Sequence, residues 1–228
     1  RSILDNKMEL YKDFKPKILA FDIETTSDGS FPDPLTDKIV SISYYSKDFE
    51  KVTITRDFKK KHKYINSVSS EKELLEDFRK TINKFQPDIL TGYNSDIFDL
   101  WFIKERATKN KVKLKLDPLN GEPIYTRGAR NAKPVKINGI THLDTYIFIR
   151  NALAPRLKTN SLSLDNVAEE MLGQKKLELG VLPHEAWLDD SDENMNRFSE
   201  YNLLDSKLTY LLAEKILPIA LQFSRFTG

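Results

Sequence analysis

Asp22 and Glu24 stand two residues apart in KILAFDIETTSDG, the stretch from Lys17 to Gly29. Residues at that spacing in a strand share one face. The apolar run Ile18–Phe21 therefore ends by aiming two carboxylates at one spot. Like charges repel, and partial burial removes hydration that is costly to lose. Either the strand stops at Phe21 and both acids face water, or a cation or hydrogen-bond donors offset them. Asp99 repeats the oddity in GYNSDIFDLWFIKER, after a strand signal and at the start of an apolar helix. A first-turn acid there is stabilising in its own right, and Asn94 and Phe98 can be turn and core residues. Asp205 lies in SEYNLLDSKLTYLLAEK, where Tyr201, Asp205, Leu208 and Leu212 fall on one helical stripe. It sits either at the border of that stripe or on its buried face, where charged groups are seldom left unpaired.

Together these positions describe four carboxylates from two strand positions and two helices. Hard divalent cations take such oxygen ligands. Two of them roughly 3.5–4 Å apart are a standard device for cleaving phosphodiesters. The same cations would offset the repulsion between Asp22 and Glu24.

The elements that must position these acids are legible in part. Ile18–Glu24, Lys38–Tyr45 and Val52–Thr55 read as strands of an antiparallel meander. Ser70 and Glu73 have capping-box spacing, and Leu74, Leu75, Phe78 and Ile82 share one face of the helix that follows, with Pro87 closing it. Asp88–Asn94 reads as a short buried strand and Asp99 to about Thr108 as a helix. The Pro-, Gly- and Asn-rich segment after it predicts loops and a hairpin, with Asn138-Gly139 as one turn. His142–Ile149 is a further strand candidate. Leu164, Val167, Ala168, Met171 and Leu172 predict a helix ended by Gly173, and a last helix runs from about Asn194 past Tyr210, kinked or ended at Pro218. Strands followed by alternating helices and strands imply an α/β fold, a mixed sheet with helices on its faces.

Composition bounds the rest. The 228 residues are 39% hydrophobic and 31% charged, enough apolar material for a core in one large domain. No apolar run approaches the roughly 20 residues of a membrane span, so no membrane partner is expected. With no cysteine, disulfides and thiolate metal sites are excluded. The formal net charge of +2 decides nothing, but local charge does. Arg127, Arg130, Lys133 and Lys136 fall in a segment with no Asp or Glu, and Lys59, Lys60, Lys61 and Lys63 cluster, opposed in sign by the acids from Asp189 to Glu193. Each is either a solvated loop or a phosphate contact. His62, His142 and His184 lack metal-site spacing, no glycine pattern makes a phosphate loop, and no serine or cysteine pattern suggests covalent catalysis. Tyr44, Tyr45, Trp101 and Phe102 read as core.

The quoted segments also resemble a known family. FDIET, YNSDIFD and YNLLD are similar to the three exonuclease motifs of family B DNA polymerases, archaeal replicative ones in particular. The resemblance extends over nearly all of the chain, through THLDTYIFIRNAL, SLSLDNVAEEMLG and LPIALQFSRFTG. It implies a ribonuclease-H-like (DnaQ-like) domain with a two-metal 3′→5′ proofreading activity that acts on the primer 3′ end and releases nucleoside monophosphates. By that likeness Asp22, Glu24, Asp99 and Asp205 hold two Mg²⁺ or Mn²⁺ ions, and Tyr201 positions the attacking water opposite Glu24. Thr25, Asn94 and Phe98 would contact the terminal nucleotide, and Arg127 and Arg130 belong to an inserted hairpin, residues 118–141, that separates primer from template. The implied partners are DNA, the polymerase domains of a parent protein and, through it, a sliding clamp. The implied setting is cytoplasmic, on the nucleoid of an archaeon. Residues 1–16 would be a remnant of a preceding domain or linker and 17–228 the exonuclease domain, either excised from a longer protein or a natural fragment of one. Ser95 and Ile97 depart from the Gly and Asn often found there. Two rivals share much of this pattern: an RNA 3′ exonuclease of the same superfamily, and a non-catalytic domain of a polymerase assembly.

Overall fold

The computed structural model describes residues 15–27, 31–117, 119, 121–126, 134–174, 183–189 and 191–227. Strand β1 (Ile18–Thr25) lies inside a six-stranded sheet with β2 (Ile39–Ser46), β3 (Phe49–Ile54), β4 (Ile65–Ser67), β5 (Ile89–Gly92) and β8 (Thr141–Asp144). The order is β4-β3-β2-β1-β5-β8. The first three strands form the expected antiparallel meander, whereas β5 and β8 add in parallel. A two-stranded antiparallel ribbon, β6 (Ile124–Tyr125) with β7 (Val135–Lys136), stands apart in the segment expected to hold a hairpin. The helices are α1 (Glu71–Phe85), α2 (Asp99–Lys109), α3 (Thr145–Phe148), α4 (Leu164–Leu172), α5 (Pro183–Leu188) and α6 (Asp192–Thr227). This is the mixed α/β class that the sequence predicts.

The two-residue period of β1 sorts the molecule into layers. Its odd positions Leu19, Phe21 and Ile23 enter a core with Leu74, Leu75, Phe78 and Ile82 of α1 and Leu100, Phe102 and Ile103 of α2. Its even positions Ile18 and Ala20 meet Tyr210 of α6 on the other face. Asp22 and Glu24 continue that even series, so they face the α6 layer. Each fully buried Leu, Ile or Phe contributes about 1.5–3 kcal/mol, which is enough to fix the register. A slip of one residue would carry both acids into the α1 core.

Local signals explain most boundaries. The Ser70 side chain caps α1 by accepting from the Glu73 N–H at 3.3 Å, while the Glu73 carboxylate reaches back to the Ser69 N–H at 2.8 Å. Gly173 ends α4 in the left-handed region at φ 68°, a conformation a Cβ makes costly. Two expectations need correction. His142–Ile149 is a strand only to Asp144. The Asp144 side chain accepts from the Ile147 N–H and caps α3, which passes into a π turn over Ile149–Leu153. That cap outweighs the β propensity of the run. Of the two outcomes expected at Pro218, an end is not found, since α6 continues to Thr227 with the proline inside it. Proline offers no N–H to the carbonyl four residues earlier, that of Glu214, which is exposed and open to water. Strand β4 and helix α5 were not expected from the sequence. β4 is three residues long, too short for a period to show.

Candidate active site

β1, α2 and α6 deliver the acids. One carboxylate oxygen from each of Asp22, Glu24 and Asp205 lies within 4.8 Å of the other two. Asp22 and Glu24 are half-buried and Asp205 is buried. Tyr201, half-buried, sits one helical turn before Asp205. The helix meets the sheet closely because small residues line the contact. Ser41 and Ser43 of β2, Ala20 of β1 and Ser206 of α6 are all buried there. The Ser41 hydroxyl donates to Asn202 Oδ1 at 2.7 Å, and the Ser43 hydroxyl donates to the Asn202 carbonyl at 2.7 Å. With its oxygen occupied, the Asn202 amide aims its Nδ2 at Asp22 Oδ2, 2.8 Å away. Asn202 thus locks the register of α6 against β2 and holds one carboxylate of the cluster. The sequence reading missed it. Its trace was a buried small-polar stripe, Asn202, Ser206 and Thr209, facing serines on a strand 161 residues upstream.

Asp99 lies outside the 4.8 Å grouping. It is the first residue of α2 and is 3% exposed. Its carboxyl lies against the N–H of Ile23, the residue between Asp22 and Glu24. Burial is the largest influence on it. Together with the nearby Asp144 charge, burial outweighs the backbone N–H groups and pushes this carboxyl up to about 7. Asp144 is raised by burial as well, against the Ile147 and Asp96 N–H groups that favour its ionised form.

The remaining sequence candidates fall around this centre. Thr25 ends β1 at a bulge, where the register jumps from Glu24↔Ser41 to Thr25↔Ile39. Such a bulge re-aims the side chains beside it. Asn94 adopts φ 69° in the loop between β5 and α2, a conformation that Asn tolerates better than most residues. Phe98 precedes Asp99, and its ring lies 5.7 Å from that of Phe31, edge to face. Phe31 is 77% exposed. It was missed, although an aromatic in the polar run SDGSFPD was a signal. Arg127 and Arg130 lie outside the described residues. Of the Lys59–Lys63 cluster, the N–H groups of Lys59 and Lys60 donate to the Asp192 carboxylate, and Lys61 pairs with Asp57. Its acidic counterpart is therefore partly structural.

A model of the exonuclease domain of family B DNA polymerases matches residues 4–167. The chain belongs to that family. This exonuclease domain is 33% identical over 216 residues to a DNA polymerase of Pyrococcus glycovorans, covering 93% of this chain and 26% of that protein. It is 30% identical over 214 residues to a DNA polymerase of Methanocaldococcus jannaschii, covering 94% of this chain and 12% of that one. Among solved structures, the family B DNA polymerase of the hyperthermophilic archaeon Pyrobaculum calidifontis matches with TM-score 0.68 and 28% identity, over 90% of this chain and 25% of its own. The exonuclease domain spans about a quarter or less of these relatives. Among the described residues, no helix is long and apolar enough to cross a membrane.

The donor set fits divalent cations. It is all oxygen and crowded, and a divalent cation would offset the repulsion among its like charges. Asp22, Glu24 and Asp205 would hold such ions, with Asp99 beside them.

Proposed function

We propose that this exonuclease domain is a two-metal 3′→5′ exodeoxyribonuclease that removes mispaired nucleotides from a primer 3′ end. The observation that carries the reading is the convergence of Asp22, Glu24 and Asp205 on one point from elements 180 residues apart in sequence. Water attacks the terminal phosphorus, the bond to the 3′ oxygen of the preceding nucleotide breaks, and a nucleoside 5′-monophosphate leaves. Bound Mg²⁺ or Mn²⁺ would lower the pKa of the attacking water and offset charge on the departing oxygen. Tyr201 and Glu24 orient that water from two sides. Thr25, Asn94 and Phe98 hold the terminal nucleotide, and the exposed Phe31 ring beside Phe98 offers a face for its base. Stacking of this kind is sequence-tolerant, as proofreading requires. A mispaired end costs less to unpair, so it reaches the site more often.

In the same reading, residues 17–228 form the catalytic unit. The 118–141 segment, with Arg127 and Arg130, lies at the primer–template junction. The parent protein is a DNA polymerase, and a clamp is reached through it.

The test uses 5′-labelled single-stranded DNA and RNA of one sequence with Mg²⁺ or Mn²⁺. DNA should shorten stepwise from its 3′ end, stop with EDTA, and stop in Asp22→Ala/Glu24→Ala. Faster trimming of RNA would move the assignment to an RNA exonuclease. Digestion by the double variant would refute the mechanism.

A further inference from the structure

His142 and Asp144 lie two apart on β8, the edge strand beside β5, and so share one face. Both reach across to the loop that joins β5 to α2. Asp144 Oδ1 accepts the Asn94 N–H at 3.2 Å, and its Oδ2 accepts the Asp96 N–H at 2.8 Å. The same Oδ1 accepts the Ile147 N–H at 2.9 Å, which ties the grip to the start of α3. His142 Nε2 lies 3.0 Å from Ser95 Oγ, and its Nδ1 lies 3.1 Å from Asp96 Oδ1. Three consecutive residues, Asn94, Ser95 and Asp96, are thus held by two side chains of one strand.

Ser95, His142 and Asp96 lie in the order of a nucleophilic relay, but Asp96 Oδ1 makes no hydrogen bond to the imidazole despite the short distance. Ser95 is 0% exposed, however, and no substrate can reach its hydroxyl. The relay ties the loop instead of attacking anything. Ser95 also packs tightly against the strand it follows. A Cβ on Gly92 would lie 2.6 Å from Ser95 Cβ and 2.7 Å from its Oγ, so the strand must stay bare there. The left-handed turn at Asn94 is where the Asp144 grip begins. The loop leads directly to Phe98 and Asp99, and the Asp99 carboxyl rests on the Ile23 N–H between the other two acids.

We infer that His142 and Asp144 are positioning residues: they fix the Asn94–Phe98 loop, and with it Asp99, against the Asp22–Glu24 pair. The catalytic consequence rests on the nuclease reading; the structural grip does not. Outer partners of metal ligands typically contribute 10–100-fold in metal affinity or activity. Here they act one step further out, through the backbone of a loop.

The experiment compares the wild-type chain with Asp144→Asn and Ser95→Ala by Mn²⁺ titration, kcat at saturating substrate, and amide exchange. Asp144→Asn keeps the shape but sets an NH₂ against a backbone donor. Its Mn²⁺ midpoint should rise by roughly 10–100-fold. Its kcat should fall and be restored in part by added Mn²⁺. Exchange at 94–98 should quicken while β2 keeps its protection, a split that general loss of stability would not give. Ser95→Ala removes one oxygen and leaves the packing on Gly92 intact, so it reports even if Asp144→Asn fails to fold. It should show the same changes at a few-fold level. Unchanged loop exchange and an unchanged Mn²⁺ midpoint in the folded variants would overturn the inference. If the wild type cleaves nothing, the nuclease reading fails, while loop exchange still decides the grip.

Discussion

One buried acid and one cluster of acids lie on opposite faces of the same sheet, and the chain treats them differently. On the α1 face, Glu71 is 9% exposed and is answered in full. Arg106 donates to it from Nε at 2.7 Å and from an amino nitrogen at 2.6 Å, Asn110 Nδ2 donates at 2.9 Å, and the Ile39 N–H at 2.9 Å. Burial alone would raise its carboxyl, but these donors outweigh burial and hold it below the ordinary glutamate range. On the α6 face, Asp22, Glu24 and Asp205 crowd together, and Asp99 behind them is pushed up. A fold that can answer a buried acid with a guanidinium has done so where the acid is structural. At the other face it gathers acids, which suits a centre meant to receive a cation from solution.

The sharpest way to break this comparison is to remove the guanidinium. Arg106→Ala should cost about 3–5 kcal/mol in urea unfolding, because it strands a buried carboxylate. A loss below about 1 kcal/mol, the usual worth of an exposed pair, would mean that Glu71 is not held as described. The acid cluster should respond in the reverse sense to an added ion. Free Mn²⁺ at 100 times its dissociation constant should stabilise the chain by about 2.7 kcal/mol, read as a rise in melting temperature. Most of that rise should vanish in Asp205→Ala, and Arg106→Ala should keep it.

The two faces should also give opposite pH slopes. The folded-state value of Glu71 is lowered, so its stabilisation is present above about 4.5, the ordinary value, and is lost as pH falls through the folded value. That of Asp99 is raised, so without metal its contribution is most favourable below about 3.8 and is lost as pH rises toward about 7. Asp99→Asn should flatten the decline between those limits, and Glu71→Gln should remove the loss at acid pH. Saturating Mn²⁺ should abolish the decline, because metal selects the ionised carboxylates. The smallest effect belongs to Asn202→Ala. It deletes one bond to a carboxylate, worth about 1.5–3 kcal/mol when the acceptor is charged. The net loss of stability should stay below that of Arg106→Ala, because water can serve the half-buried Asp22 in place of the amide, although the buried Ser41 hydroxyl loses its acceptor. Mn²⁺ affinity should fall more visibly than stability.

What the sequence disclosed, and what it hid, follows from the range of the interactions. The faces of β1, the helical stripe of α1 and the stripe carrying Tyr201 and Asp205 are periodic signals within one element, and all were legible. Ser70 and Gly173 act on the ends of their own helices, and so their caps were legible too. The end of β8 was not legible, because the Asp144 side chain caps a helix while its oxygens also serve Asn94 and Asp96, about fifty residues upstream. Asn202 was hidden for the same reason, since its partners Asp22 and Ser41 lie on other elements. The position of Asp99 was legible only as the start of a helix. That it rests beside Ile23, outside the tightest group of acids, depends on the loop grip from β8.

The most direct measurement is a calorimetric or spin-resonance titration of Mn²⁺ into the chain and into Asp205→Ala, with cleavage of single-stranded DNA followed on the same samples. The wild type should take up two ions, cleavage should rise with the second, and the variant should lose at least one ion together with nearly all cleavage. Full cleavage in the presence of EDTA, or a variant that binds both ions with the wild-type midpoint, would contradict a cation-bridged centre.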